Sequence, residues 1–332
     1  MRPAGTRLLT RRDVASLLDL DGCIAAVEEA FRRLGEGRAP APGILGFPAA
    51  GGGFHIKAAG LSLSRPWFAA KINANFSQNR ERFGLPSIQG VVLLCDGENG
   101  YPLALLDSIE ITIRRTGAAT AVAARYLARA DARVVTICGC GNQGRIQLEA
   151  LSRVRALEAA YAFDLDPDRA AEFAGEMSSK LGIAVTTARA PGPAARLSDI
   201  VVTCTPSRQP LLVLEDVAPG TFLAAVGSDS ADKQELDPAI LASARVVADS
   251  LDQCAEIGEL HHALASRAIE RSGVHAELSE LCAGRKPGRV TAEEVTLFDS
   301  TGTALEDVAA AVFVYEKALV AGHGFLLDFA GE

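Results

Sequence analysis

Residues 134–147 read VVTICGCGNQGRIQ: an apolar, β-branched run that breaks into three glycines and resumes with helical character. A parallel strand that ends in Gly139-x-Gly141-x-x-Gly144 and opens a helix makes a tight turn at the first glycine. It lets backbone approach a pyrophosphate at the second and packs helix close to strand at the third. The start of the helix, with Asn142 and Gln143, presents unpaired N–H groups and a partial positive charge. The same pattern also serves a purely structural strand-to-helix turn, so its context matters. A second strand, AAYAFD, ends at Asp164, twenty residues beyond Gly144. A carboxylate there accepts hydrogen bonds from the ribose hydroxyls of NAD and repels the 2′-phosphate of NADP, so NAD is the expected cofactor and NADP the lesser one. Asp166 competes for this role, but it precedes Pro167 and reads as a turn or helix cap.

Outward from this turn, strands and helices alternate from about residue 116 to the last strand, VTLFDS, which predicts a parallel sheet covered on both faces. Residues 10–35 carry apolar positions at helical spacing between a Thr10 N-cap and a Gly35 stop. A turn-rich stretch, GEGRAPAPGILGFPAAGGG, follows. Next come the strand-like runs FHIKAAGL, FAAKINANF, IQGVVLLCD and PLALLDS, the last two joined by hairpin chemistry. The small-residue run TGAATAVAARYLARA then reads as a helix, with Arg115 at its start. The final helix, GTALEDVAAAVFVYEKALVAG, is long enough to return to the first region. The expected fold is α/β. A Rossmann-type doubly wound parallel sheet occupies 115–303, and an α+β domain is built from 1–114 with 304–332.

The 332 residues are 48% hydrophobic and 22% charged, as in ordinary globular chains. A formal net charge of −8 argues against a nucleic-acid groove and favours a small-molecule partner. No window reaches the roughly 18 apolar residues of a membrane span, and MRPAGTRLLTRRD lacks the core of a secretion signal, so a cytoplasmic protein is expected. Seven cysteines, at 23, 95, 138, 140, 204, 254 and 282, form no CxxC pair and read as buried thiols. The Cys138–Cys140 pair is explained by the glycine turn. His261 and His262 diverge on a helix and indicate no metal.

Several ordered stretches resemble the ornithine cyclodeaminase/μ-crystallin family over nearly the whole chain: GLPSIQG (84–90), NGYPLALLD (99–107), RRTGAATAVAARYLA (114–128), ICGCGNQG (137–144), TCTPSR (203–208), GSDSADKQELD (227–237) and EEVTLFDSTGTALEDVA (293–309). The resemblance implies a substrate-binding and dimerising first domain, hence a homodimer. It also implies hydride transfer between a nicotinamide and the α-carbon of a small amino or imino acid. Lys71 and Arg115 match the family's substrate-binding cations, with Arg114 the solvated neighbour that can exchange roles with Arg115. Lys71 also counts with Asp229, which matches the acid/base carboxylate, as catalytic; an ordinary helix cap is the other reading of Asp229. Thr116, Thr203, Thr205, Pro206, Ser300, Thr301 and Gly302 are placed to touch the cofactor, and Ser87 stands where the family often has Thr near the substrate.

Two departures bear on the substrate. Ile44 stands closest to the place of a further family cation, and His55 occupies the place of the cyclodeaminase Glu that receives the distal amine of ornithine. His55 and Lys57 alternate on one strand face and either replace the missing cation, form a different substrate pocket, or serve only a solvated or packing role. The leading expectation is therefore an alanine dehydrogenase or ketimine reductase type of enzyme. An ornithine cyclodeaminase and a non-catalytic crystallin-like nucleotide binder are the alternatives.

Overall fold

The computed structural model describes residues 5–328; residues 1–4 and 329–332, which the sequence reading includes in the first domain, lie outside the described residues. The chain divides into two compact units, Met1–Arg115 with Thr303–Glu332, and Thr116–Gly302. Among the described residues no helix is long and apolar enough to cross a membrane.

The first unit contains β1 (Thr6–Leu9), β2 (Gly43–Ala49), β3 (Gly52–Ser62), β4 (Pro66–Asn75), β5 (Ile88–Asp96) and β6 (Pro102–Asp107). With a last short strand, Phe325–Leu327, they form a seven-stranded sheet in the order last strand, β1, β6, β5, β4, β3, β2. The β2 to β6 meander is antiparallel, so each strand alternates between two faces. One face carries Ala59, Leu61, Trp67, Ala69, Val92 and Leu94, all buried, against the C-terminal helix Ala304–Ala321. The other face leaves Leu45, Phe47, Phe54, Phe68, Ile72 and Val91 exposed.

Three local expectations are corrected here. The stretch 10–35 is two helices, Arg11–Leu17 and Leu20–Gly35, because Asp19 turns its carboxylate onto the N–H of Gly22 and starts a new N-terminus. The stretch taken as turn-rich contains β2, an edge strand paired with β3 over its whole length. The helix expected near 116 begins at Ser108, directly after β6, where Asp107 accepts the N–H of Ile109 at 3.0 Å. Arg115 and Thr116 therefore lie within this helix and not at its start.

The second unit is built on β7 (Val134–Cys138), β8 (Ala159–Phe163), β9 (Ala184–Thr187), β10 (Ile200–Thr203), β11 (Arg208–Leu212), β12 (Phe222–Ala225), β13 (Gln234–Leu236), β14 (Arg245–Ala248), β15 (Ala276–Glu277) and β16 (Thr296–Asp299). Eight of them make one parallel sheet in the order β15, β14, β16, β12, β10, β7, β8, β9, and β11 pairs with β13 apart from it. Strands β10, β12 and β16 are buried along their whole length, the reason they read as continuous apolar runs. The chain winds outward through β8 and β9 and then returns to β10, so the order reverses between β7 and β10. Open α/β sheets bind ligands at such a switch, beyond the carboxyl ends of the strands.

Candidate active site

In the second unit the glycine turn follows β7. Gly139 has φ +106°, and a Cβ there would lie 2.8 Å from the Cys204 carbonyl. A Cβ on Gly144 would stand 2.1 Å from the Gly139 carbonyl, so the helix Asn142–Ser152 sits as close to the turn as glycine allows. At Gly141 a Cβ would meet nothing within 4 Å: this glycine faces open space and stands at the N-cap with no side chain to satisfy the first N–H groups of the helix. Gly139, Gly141, Asp164, Arg169, Thr205 and Pro206 help to line a cavity of about 380 Å³. The bare helix N-terminus, the open glycine and the acid at the end of β8 fit a dinucleotide.

Asp164 accepts the N–H of Cys140 at 2.9 Å and of Asp166 at 3.0 Å, which fixes its carboxylate at the cavity wall. Asp166 is the N-cap of the helix Pro167–Leu181, holding the N–H groups of Asp168 and Arg169, a contact worth about 1 kcal/mol. The seven cysteines are free thiols. Burial foremost, with the charge of Asp164 adding, pushes the Cys140 thiol up to about 12, so it is not a thiolate nucleophile.

Thr205 and the GSD turn are held by a residue that the sequence reading missed. Glu235, fully buried, accepts the N–H and Oγ1–H of Thr205 at 2.6 and 2.7 Å and the N–H of Gly227 at 3.0 Å. Two more buried carboxylates continue the arrangement. Glu259 holds the N–H groups of Glu235 and Leu236, and Asp299 holds those of Glu259 and Leu260. Burial raises all three, Glu259 to about 9 and Asp299 to about 7. Asp229, two residues beyond Gly227, keeps a side chain that is 56% exposed and pairs with Lys233 Nζ at 2.5 Å. Thr203 is buried at the end of β10 and Thr116 within its helix. Ser300 and Thr301 turn their hydroxyls onto Asp249, which also holds the Gly302 N–H at 2.6 Å. His262 Nε2 donates to the Lys233 carbonyl at 2.7 Å. Among the described residues no group of three or more His, Cys, Asp or Glu side chains could hold a metal ion.

In the first unit Lys71 and Arg115 meet in a buried cluster. Lys71 Nζ lies 2.7 Å from Asp307, and Arg115 lies 2.9 Å from Glu306 and 3.2 Å from Asp307, with all four side chains at most 6% exposed. Burial, reinforced by Arg115 and Lys57 and opposed by Asp307, lowers Lys71 to about 8. Burial acts to raise Asp307, but Lys71, Arg115 and Lys57 outweigh it and hold the carboxyl below its usual range. Arg114 is spent elsewhere, donating to the Leu18 carbonyl at 2.5 Å. Strand register sets Ile44, Lys57 and Lys71 side by side in one row, with His55 on the same face as Lys57 but exposed. Ser87, in the loop before β5, donates to the Ser77 carbonyl at 3.4 Å. Glu306 and Asp307 were also missed by the sequence reading. Two adjacent acids in the first turn, ahead of the apolar run VAAAVFVY, were the available signal.

A sequence profile of the ornithine cyclodeaminase/mu-crystallin family matches residues 5–322. The chain belongs to this family. Within it, the chain is 38% identical over 324 residues to an alanine dehydrogenase of Archaeoglobus fulgidus, covering 98% of each chain. A solved archaeal alanine dehydrogenase dimer with bound NAD superposes with a TM-score of 0.93 at 38% identity, over 98% of this chain and 99% of that one. The Thermococcus litoralis Δ1-pyrroline-2-carboxylate reductase, solved with NADH and L-proline, gives 0.92 at 36% identity, over 97% and 100%. Membership bears out the family resemblance carried by the motifs, and the family's α/β architecture is the one described above.

Proposed function

We propose that this family member is an NAD-dependent oxidoreductase acting at the α-carbon of a small amino or imino acid. The observation that carries the proposal is the buried Lys71–Arg115 cluster. Two fixed cations beneath one sheet face form an anion site, and the solved relatives act on α-amino or α-imino acids or bind one.

In this reading Gly139, Gly141, Gly144, Asn142 and Gln143 hold the pyrophosphate. Asp164 takes the adenosine ribose, and Thr116, Thr203, Thr205, Pro206, Ser300 and Gly302 serve the rest of the dinucleotide. When bound, the dinucleotide supplies or accepts the hydride. Lys71 and Arg115 bind and orient the α-carboxylate, with Lys57, His55 and Ser87 completing the substrate side. Lys71, lowered to about 8, is able to give or take a proton near neutrality. Asp229, exposed at its turn, exchanges the proton on the substrate nitrogen. The unit of residues 1–114 with 304–332 is the substrate and dimerisation domain, and 115–303 is the NAD domain. The homodimer uses the face of β2 to β5 that exposes Leu45, Phe47, Phe54, Phe68, Ile72 and Val91, since contiguous exposed apolar side chains mark interaction surfaces.

The test follows nicotinamide absorbance with pyruvate and ammonium, or with pyrroline-2-carboxylate. Oxidation of NADH that is lost in Asp229→Asn while NADH still binds supports the reading. Proline and ammonia formed from ornithine with catalytic NAD assigns the chain to the cyclodeaminases instead. Binding without turnover of any of these substrates makes it a crystallin-like nucleotide binder.

A further inference from the structure

In the second unit one side chain joins the cofactor loop to the acid turn. The loop after β10 brings Thr205 and Pro206 to the cavity wall, and the loop after β12 carries Asp229. The two strands are neighbours in the parallel sheet, paired from Ile200 with Phe222 to Thr203 with Ala225. Glu235, fully buried, spends one oxygen on the N–H and hydroxyl of Thr205, at 2.6 and 2.7 Å, and the other on the N–H of Gly227, at 3.0 Å. Gly227 lies so close that a Cβ on it would stand 2.5 Å from that second oxygen and 2.5 Å from the Thr205 carbonyl. The far end of the turn is pinned separately: Ser228 Oγ and His262 Nε2 both donate to the Lys233 carbonyl, at 2.9 and 2.7 Å. Glu259 in turn holds the backbone N–H of Glu235 at 2.7 Å.

A buried carboxylate that draws its donors from two different loops fixes the spacing of those loops, because releasing either donor leaves polar groups unsatisfied in the interior. We infer that Glu235 is a positioning residue that couples the two loops: by holding Gly227 against Thr205 it places Asp229 relative to the dinucleotide cavity. A group that exchanges a proton must stand within hydrogen-bond reach of its target, and an exposed side chain on a turn keeps that reach only if the turn is held. The inference rests on the proposed reading of Asp229 as the acid/base and adds to it a residue that acts through Asp229 and not on the substrate.

The test replaces Glu235 by Gln in the full chain. The Gln oxygen keeps the two donors of Thr205, and its amide then meets the Gly227 N–H donor to donor, so the variant frees the acid turn and spares the cofactor loop. With NADH and pyrroline-2-carboxylate, or NADH with pyruvate and ammonium, kcat is expected to fall by roughly 10- to 100-fold, the effect of an ångström-scale displacement of a catalytic group. NADH affinity in a fluorescence titration is expected to stay unchanged. The double variant Glu235→Gln/Asp229→Asn is expected to be no slower than Asp229→Asn alone, since a residue that acts through another adds nothing once that other is gone. Unchanged kcat in Glu235→Gln beside an impaired Asp229→Asn overturns the inference and leaves the reading of Asp229 standing. Lost NADH binding in Glu235→Gln, or a double variant with additive losses, makes Glu235 a structural support only and overturns it as well. Full activity of Asp229→Asn, or turnover of neither substrate by the wild type, removes the reading and the inference together. Should Glu235→Gln fail to fold, Gly227→Ala, whose Cβ would stand 2.5 Å from the Glu235 carboxylate, displaces the same contact and is read in the same way.

Discussion

Replacing Asp307 by Asn strands Lys71 and Arg115 in the interior with one carboxylate fewer. Asp307 touches Lys71 at 2.7 Å and Arg115 at 3.2 Å, in a group of side chains no more than 6% exposed. At an effective dielectric of about 20, unit charges roughly 3 Å apart attract by about 5 kcal/mol, and desolvation of the pair offsets much of that. The net loss on deleting one partner is larger than the net worth of the pair, because the survivor stays buried and uncompensated; it amounts to about 3–5 kcal/mol. The chain's single tryptophan, Trp67, lies in the same unit, 4% exposed, with its ring 6.0 Å from Tyr315 on the helix that carries Asp307. Urea unfolding followed by its fluorescence therefore reads this unit. Asp307→Asn is expected to lower the unfolding free energy by about 4 kcal/mol. The charge-balanced double variant Lys71→Met/Asp307→Leu, which leaves Arg115 with Glu306, should recover most of it. A loss below about 1 kcal/mol for the single variant, the size of an exposed pair, would refute the reasoning, as would a double variant as unstable as the sum of its parts.

Three further outcomes are expected. Gly144→Ala puts a Cβ 2.1 Å from the Gly139 carbonyl, so it should destabilise the second unit by about 1–3 kcal/mol and abolish retention of NADH in a fluorescence titration. Asp164→Ala should weaken NADH more than NADPH, and equal losses in the two titrations would contradict its assignment to the ribose. Glu259 and Asp299 are raised to about 9 and about 7, so between their unfolded and folded pKa values the native state binds more protons than the unfolded one. Their contribution is fully present below the unfolded pKa and declines as pH rises through that window. Denaturation between pH 5 and pH 9, within the span of these shifts, should show stability falling, and Glu259→Gln should flatten the slope.

The second unit was legible because its physics is local. A strand buried on both faces is a continuous apolar run, and a strand-to-helix turn this close admits only glycine at Gly144. The first unit was less so. β2, GILGFPA, is an edge strand with two glycines and a proline, mostly exposed, and without a buried face it shows no alternation. The start of the helix at Ser108 was hidden because β6 runs straight into it, with Asp107 serving both as last strand residue and as helix-capping acid. Lys71 and Arg115 were found through the family motifs. Their partners could not be read from spacing, because Asp307 is 236 positions from Lys71 and Glu306 is 191 from Arg115. Only the closed fold makes them neighbours.

The acids of the chain sort by what surrounds them, and that sorting bears on the chemistry. Glu235, Glu259, Asp249 and Asp299 are buried and their oxygens are occupied by hydrogen-bond donors of neighbouring loops, mainly backbone N–H groups. An acid so engaged fixes loops rather than facing a substrate. Glu306 and Asp307 are buried against cations and fix those instead. Asp229 differs from both sets: it stands at the tip of a turn that Glu235 anchors through Gly227, is more than half exposed, and is met by Lys233. An acid that must exchange a proton with a substrate needs that accessibility on a fixed support. The clamps thus fix the turn on which Asp229 stands, which is the support that its proposed acid/base role requires.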